Sequence, residues 1–213
     1  MRFPLVALTL LAPVATAHAQ AWSYPVFQTP VVEHREFNAG VADAGRGGTT
    51  LIIQWREALA SRSQFTLEAG LVAPDVRGRS NLLALGAQYA FQLTRSTSEV
   101  PLDLLFTAGA GTALGDPVTL RLPVGINAGH RFELDGNTTL TPYVHPRLSL
   151  DFCGHCGDAS GIGIDFDVGA SWEVTSVLAI RGAAFFGGGD LFGRNGIGLS
   201  VAYRPPGLTG ATR

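Results

Sequence analysis

The chain has 213 residues, of which 46% are hydrophobic and only 15% are charged, well below the charged fraction of ordinary soluble domains. Its formal net charge is −2, and it contains arginine but no lysine. Because nucleic-acid interfaces need a basic patch, this balance argues against a nucleic-acid partner.

The first 21 residues have the features of a secretory signal peptide. Arg2 supplies the positive start, residues 3–14 form an apolar stretch, and small residues follow at Ala17, Ala19 and Ala21. The apolar stretch is too short for a membrane-spanning helix, which needs about 20 apolar residues. We therefore expect residues 1–21 to be removed and the rest to be exported.

Residues 22–34 show no hydrophobic period and contain Pro25 and Pro30. We interpret them as a periplasmic lead-in to the folded domain. At the other end, residues 205–213 are predicted to be a C-terminal tail. The domain itself is predicted to cover residues 35–204.

Residues 35–204 consist of short segments in which apolar and small or polar residues alternate, separated by turn residues. This period of two is typical of β-strands. Most segments have about the 9–11 residues that a tilted strand needs to cross a bilayer. The predicted fold is all-β, a closed antiparallel transmembrane β-barrel of about ten strands, with eight or twelve as alternatives. The predicted strands are 35–43, 49–57, 63–72, 81–92, 100–110, 118–132, 140–152, 162–174, 177–187 and 196–204.

One face of these strands is apolar, and the other carries small residues with scattered charges of both signs. A small, polar face suits the inside of a narrow barrel, where charges must be paired. We predict a lumen charge network, which either fixes the barrel by salt bridges or lines a narrow selective pore. Its members are Glu36, Arg56, Glu68, Asp103, Arg121, Arg147, Asp165, Asp167, Glu173, Arg181 and Arg204.

Several aromatic residues of the apolar face lie beside the connections at one end of the strands. Rings of this kind favour the bilayer interface. An even strand count places both ends of the barrel on this side, which we predict to be periplasmic. The connections 73–80, 111–117, 153–161 and 188–195 would then face outwards. The aromatic residues are Trp55, Phe65, Phe91, Phe132, Trp172 and Tyr203.

The signal peptide, the alternating strands, the glycine-rich turns and segments such as 120–132 and 177–186 resemble the small outer-membrane β-barrel proteins of Gram-negative bacteria. The resemblance covers nearly the whole exported chain and rests on pattern. It implies contact with outer-membrane lipid and insertion by the barrel-assembly machinery, which reads an aromatic residue at the end of the last strand. Here Tyr203 is followed by further residues, which departs from the family pattern.

Cys153 and Cys156 form a C-x-x-C motif that resembles the redox site of thioredoxin-like proteins. The residues that follow are poor helix formers, so we favour a small disulfide in an outer loop. His155 and Asp158 could add metal ligands, but one short loop offers an incomplete site. We predict no metal and no cofactor.

Two further features allow an enzymatic interpretation. His145 lies near Ser149 on the inner face, and Asp165 and Asp167 share that face as a carboxylate pair. Interior pairing explains all of them without catalysis. We predict a non-enzymatic integral outer-membrane barrel with an unidentified small-molecule ligand, if any. The alternatives are an outer-membrane barrel hydrolase that cleaves lipid or peptide, and a soluble periplasmic barrel that binds a ligand.

Overall fold

The computed structural model describes Tyr24 and residues 26–75, 80–154, 156, 159–189 and 195–206. The predicted signal peptide, and the predicted tail beyond residue 206, lie outside these residues. Within the described residues, no helix is long and apolar enough to cross a membrane.

The described part of the chain is all-β, with two single-turn 3-10 segments at Gly45–Gly47 and Asp135–Asn137. The predicted strands all occur, and most of their ends agree within three residues. The strands are β1 Arg35–Asp43, β2 Thr49–Ala60, β3 Ser63–Ala73, β4 Leu82–Thr94, β5 Asp103–Leu114, β6 Thr119–Gly129, β7 Phe132–Leu134, β8 Thr138–Cys153, β9 Ser160–Glu173, β10 Leu178–Gly189 and β11 Gly196–Tyr203.

Ten of these strands form a closed antiparallel ring, which confirms the predicted barrel and its strand count. Each ring strand pairs with its neighbours in sequence, and β1 pairs with β11 from Phe37↔Tyr203 to Asp43↔Ile197. The short strand β7 lies outside the ring and pairs with the start of β8. The predicted strand 118–132 is therefore divided, because the chain leaves the ring after Gly129 and Phe132 belongs to β7.

Side chains alternate between the inside and the outside of the ring, as the sequence period predicts. In β9, Asp165 and Asp167 are buried, whereas Ile164, the residue before Asp165, points outwards and is 62% exposed. The same alternation runs through β2 and β8. The barrel is thus polar inside and apolar outside, the reverse of a soluble domain.

The ring has two ends, which we name by the strands that meet there. The terminal end is where β1 begins and β11 ends, and the distal end is the opposite one. At the terminal end the connections range from residues 61–62 to residues 95–102, and at the distal end β5 and β6 are joined by residues 115–118 alone. Loop length therefore does not distinguish the two ends, although the sequence predicted longer loops at the distal one.

The segment predicted as a lead-in lies inside the barrel. We name Tyr24 and residues 26–34 the strap. Tyr24 packs with Val72 and Ala113 in the distal half, and Glu33 reaches the terminal end, where the chain turns into β1. Proline and the absence of a period prevent this segment from pairing as a strand, but its apolar residues still favour burial.

Candidate functional site

The lumen is filled by the strap, which is held largely through its main chain. Side chains of the wall donate hydrogen bonds to strap carbonyls: Gln54 to Val26 at 2.8 Å, Arg56 to Phe27 at 2.7 Å, Asn127 to Gln28, and Gln92 to Pro30 at 2.9 Å. Strap amides donate to wall oxygens: Val32 to Gln92 at 3.0 Å and Glu33 to Gln64 at 2.6 Å. Buried main-chain groups that cannot form a sheet therefore find side-chain partners.

Gln92 shows this main-chain recognition most clearly. Its amide nitrogen donates to the carbonyl of Pro30, while its amide oxygen accepts from the amide of Val32. One primary amide thus satisfies two groups of the strap, as a neighbouring strand would. Such contacts recognise an extended main chain and are indifferent to the strap's side chains.

Glycines of the wall make room for the strap's large side chains. A Cβ atom at Gly86 would overlap the ring of Tyr24, and one at Gly198 would lie 2.7 Å from the ring of Phe27. Phe27 also meets Phe185 edge-to-face, with ring centroids 6.3 Å apart. Tyr24 and Phe27 are both almost completely buried. The strap and the wall are therefore complementary in shape as well as in hydrogen bonding.

A first ion-pair cluster lies in the terminal half and centres on Glu36. This carboxylate accepts from Arg56 at 2.8 Å, from Arg181 at 2.6 Å and from Arg204 at 3.2 Å. Arg204 also binds Glu33 of the strap at 2.8 Å and Glu173 at 3.0 Å. Glu36, Arg56 and Arg181 are completely buried, so the three arginines depend on shared carboxylates for their charge balance.

A second cluster lies on β6, β8 and β9. Arg121 binds Asp151 at 2.9 Å and Asp165 at 3.1 Å. Arg147 forms a two-point ion pair with Asp167, one of its bonds measuring 2.8 Å. The paired carboxylates Asp165 and Asp167 therefore each face an arginine, which explains them without a catalytic role.

His145 stands beside this second cluster and is completely buried. Its Nδ1 atom lies 3.1 Å from Nη1 of Arg147, and its Nε2 atom lies 2.9 Å from Oγ1 of Thr107. A guanidinium can only donate, so Nδ1 must accept and the neutral ring carries its proton on Nε2. Nε2 then donates to Thr107 and has no lone pair with which to activate that hydroxyl. The arrangement does not match a nucleophile–base pair.

The predicted network residues thus fall into two clusters and two separate positions. Glu36, Arg56, Glu173, Arg181 and Arg204 belong to the first cluster, and Arg121, Arg147, Asp165 and Asp167 to the second. Glu68 accepts a hydrogen bond from Gln54 instead, and Asp103 accepts one from the amide of Ser96 at 2.9 Å, near the terminal mouth.

The list drawn from the sequence lacked two members of these clusters. Asp151 shares the inner face of β8 with Arg147, so the alternation alone could have included it. Glu33 belongs to the strap, whose place in the lumen has no periodic signal in the sequence. A cluster of apolar residues at 24–27, directly after the predicted signal peptide, was the available clue.

Cys153 and Cys156 form a disulfide at the distal end, with Cα atoms 5.6 Å apart. Residues 155, 157 and 158 of this loop lie outside the described residues, so the alternative metal ligands His155 and Asp158 are not placed. Among the described residues, no group of three histidine, cysteine or acidic side chains could hold a metal ion.

The outer surface of the ring carries a continuous apolar band. Among the described ring strands, charged side chains point outwards only near the strand ends, at Arg35, Asp43 and Glu57. Arg35 and Glu57 pair with each other at 2.6 Å. Aromatic side chains gather on the outer surface towards the terminal end, as predicted for Trp55, Phe91, Trp172 and Tyr203. Phe37, Tyr89 and Phe106 add to this group.

No protein-family model matches the chain, and a search of curated proteins finds no significant match.

Proposed function

We propose that this protein is an integral β-barrel of the bacterial outer membrane, exported by its signal peptide and closed by its own strap. It would act without enzymatic activity, as a surface protein that seals its own lumen and presents short loops at the distal end. Outer-membrane lipid would contact the ring, and the barrel-assembly machinery would insert it.

The observation that carries this proposal is the distribution of polarity. The wall buries guanidinium and carboxylate groups inside the ring, while leucine, isoleucine, valine and aromatic side chains cover the outside. In water this arrangement would expose an apolar band around the whole ring, which soluble monomers avoid. In a bilayer the same band is solvated by lipid, and the closed ring satisfies the main-chain hydrogen bonds.

We infer that the terminal end faces the periplasm, because ten strands bring both ends of the barrel to one side, as in the bacterial barrels that this chain resembles. Trp55, Trp172 and Tyr203, which lie near that end, would then be at the inner interface of the bilayer. The salt bridge between Arg35 and Glu57 would lie at the same level, where headgroups and water can solvate it. The distal loops, including the Cys153–Cys156 loop, would then face the cell surface.

The two alternatives have less support. A soluble ligand-binding barrel needs an empty lumen, and here the strap occupies the centre of the ring. A hydrolase needs an accessible and activated nucleophile, and His145 is buried with its proton directed at Thr107. The soluble alternative also leaves the apolar outer surface unexplained.

Heat modifiability tests the proposal. The mature chain is refolded in detergent and compared on an SDS gel before and after boiling, beside a sample prepared in plain buffer. We expect a faster unboiled band that moves to the full-mass position on boiling. A soluble monomer in plain buffer, with no shift on the gel, would contradict the proposal.

Two variants of one residue provide the matched control. Val201 is an outward residue of β11, which pairs with strands on both sides. Val201→Pro removes a main-chain donor from a central strand and should abolish the fast band. Val201→Leu keeps both the donor and the apolar surface, so it should migrate like the parent protein.

A further inference from the structure

The size of the ring explains why a strap is present. Barrels of about eight strands have an interior that side chains alone can fill. Two more strands widen the lumen, and here the added space is taken by a single extended segment, Tyr24 with residues 26–34. If the strap leaves, a passage about as wide as a peptide chain remains along the axis.

Most of the bonds that order the wall do not involve the strap. Three of the side chains that hold the strap also bind wall atoms: Gln54 binds Asn38 and Glu68, Arg56 binds Glu36, and Gln92 binds the carbonyls of Thr94 and Leu104. The second ion-pair cluster contains no strap residue. The ring therefore retains its internal bonds when the lumen is empty.

The strap itself has few charged links to the wall. Its main chain is held mostly by neutral amide side chains, and its ion pairs involve one residue, Glu33. Burial of Tyr24, Val26 and Phe27 supplies the remaining attraction. A segment held in this way can leave as a unit without breaking the ring.

We propose that the strap is a displaceable plug and that the lumen conducts small ions when the strap leaves. This inference rests on the proposed function, since conduction needs a barrel that spans a membrane. The ion path would follow the space that the strap now fills. It would run from the sockets in the distal half, the wall pockets beside Gly86 and Gly198 that hold the rings of Tyr24 and Phe27, to the mouth at the terminal end. There, a polar cavity of about 610 Å³ is lined by Glu33, Arg95 and Arg204, among others.

The charges of the wall give the path a preference for cations. Among the described residues of the ring strands the lumen carries seven carboxylates and four guanidinium groups, while Arg95, Arg131 and Arg204 lie outside these strands at the terminal mouth. A narrow, low-dielectric passage concentrates counter-ions of the opposite sign. The carboxylates of the ring strands are Glu36, Glu68, Asp103, Asp151, Asp165, Asp167 and Glu173, and the guanidinium groups are those of Arg56, Arg121, Arg147 and Arg181.

Conductance across a planar lipid bilayer tests this inference with the full mature chain. The release variant Tyr24→Ser/Phe27→Ser removes both aromatic anchors and changes no residue of the wall. The control variant Tyr24→Phe/Phe27→Leu keeps the same positions apolar and buried. All proteins are first checked for the heat-modifiable band, so that failure to form a membrane barrel is seen separately.

We expect the parent and the control variant to be almost silent. Loss of two buried aromatic side chains should raise the fraction of strap-free barrels roughly a hundredfold or more, giving frequent current steps. Reversal potentials in a KCl gradient should show a preference for K⁺ over Cl⁻. A release variant that folds and inserts but stays as silent as the parent would overturn the inference, and a preference for Cl⁻ would overturn its charge argument.

A synthetic peptide with the sequence of residues 22–34 shows whether the current passes through the lumen. Added to the release variant, this peptide should occupy the empty sockets and abolish the current steps. A scrambled peptide of the same composition should leave the current steps unchanged. Current that is equally insensitive to both peptides would mean leakage around the ring, and the inference would be wrong.

Discussion

Arg147 lies between His145 and Asp167, donating to Nδ1 of the imidazole at 3.1 Å while it forms a two-point ion pair with the carboxylate. His145 and Asp167 are 3.9 Å apart at their nearest atoms, so the guanidinium takes the place that a direct bond between them would need. A row of threonine, histidine and aspartate that resembles a catalytic triad is thereby converted into a structural network.

Asp167→Asn should strongly destabilise the barrel. The change leaves the guanidinium of Arg147 buried beside a neutral amide, and removal of one partner from such a pair costs about 3–5 kcal/mol. Arg147→Met/Asp167→Leu removes both charges and should recover most of that free energy of unfolding. Urea unfolding in lipid vesicles, followed by tryptophan fluorescence, measures both. Equal destabilisation by the single and the double change would contradict the ion-pair account.

Glu36→Gln should be far more damaging than Glu57→Gln. Glu36 forms ion pairs with Arg56, Arg181 and Arg204 in the buried lumen. Loss of its charge should therefore lower the free energy of unfolding by about 3–5 kcal/mol. Glu57 pairs with Arg35 on the outer rim, where solvent screens the interaction, so its loss should change the unfolding free energy little. The same urea titration compares them, and similar midpoints would mean that the first cluster is not a unit.

Leu122→Arg should destabilise the membrane-inserted barrel by about 2–4 kcal/mol, as an arginine near the bilayer midplane does. Leu122 points outwards from the middle of β6. Leu93 also points outwards but lies one residue from the end of β4, so Leu93→Arg should cost only about 0–1 kcal/mol. Refolding yield into vesicles separates the two, and equal tolerance at both positions would exclude a lipid-facing surface.

Gly86→Ala tests whether the ring of Tyr24 really occupies the space above Gly86. The added Cβ atom overlaps that ring, and overpacking of this kind costs about 1–3 kcal/mol. In a Tyr24→Ala background the same change should be nearly neutral, because the ring is gone. A double-mutant cycle on the free energy of unfolding gives the coupling between the two positions. No coupling would place the ring of Tyr24 elsewhere.

The ring could be predicted from the sequence because alternation is a local property. A strand with two chemically different faces shows its period in its own residues, as β9 does with Asp165, Phe166 and Asp167. The inward direction of the charged residues follows from the same period. Glycine-rich turns then fix the number of strands and their order.

The lumen contacts could not be predicted in the same way, because they join residues that are distant in the chain. Arg181 reaches Glu36 across 145 residues, and Asn127 reaches the strap across 99. The strap itself has no period, since its main chain is satisfied by side chains and not by a sheet. The short strand β7 was merged with β6 because Phe132 continues the alternation after the chain has left the ring.

The path of the strap has a consequence for the order of assembly. The ring closes along a seam, the pairing of its first strand with its last. The closed ring encircles residues that precede the first strand in the chain. Once the seam has formed, those residues can enter the lumen only along the barrel axis, through one open end of the ring. The simplest route is for the wall to wrap around the strap, which would then serve as an internal template for the diameter of the ring.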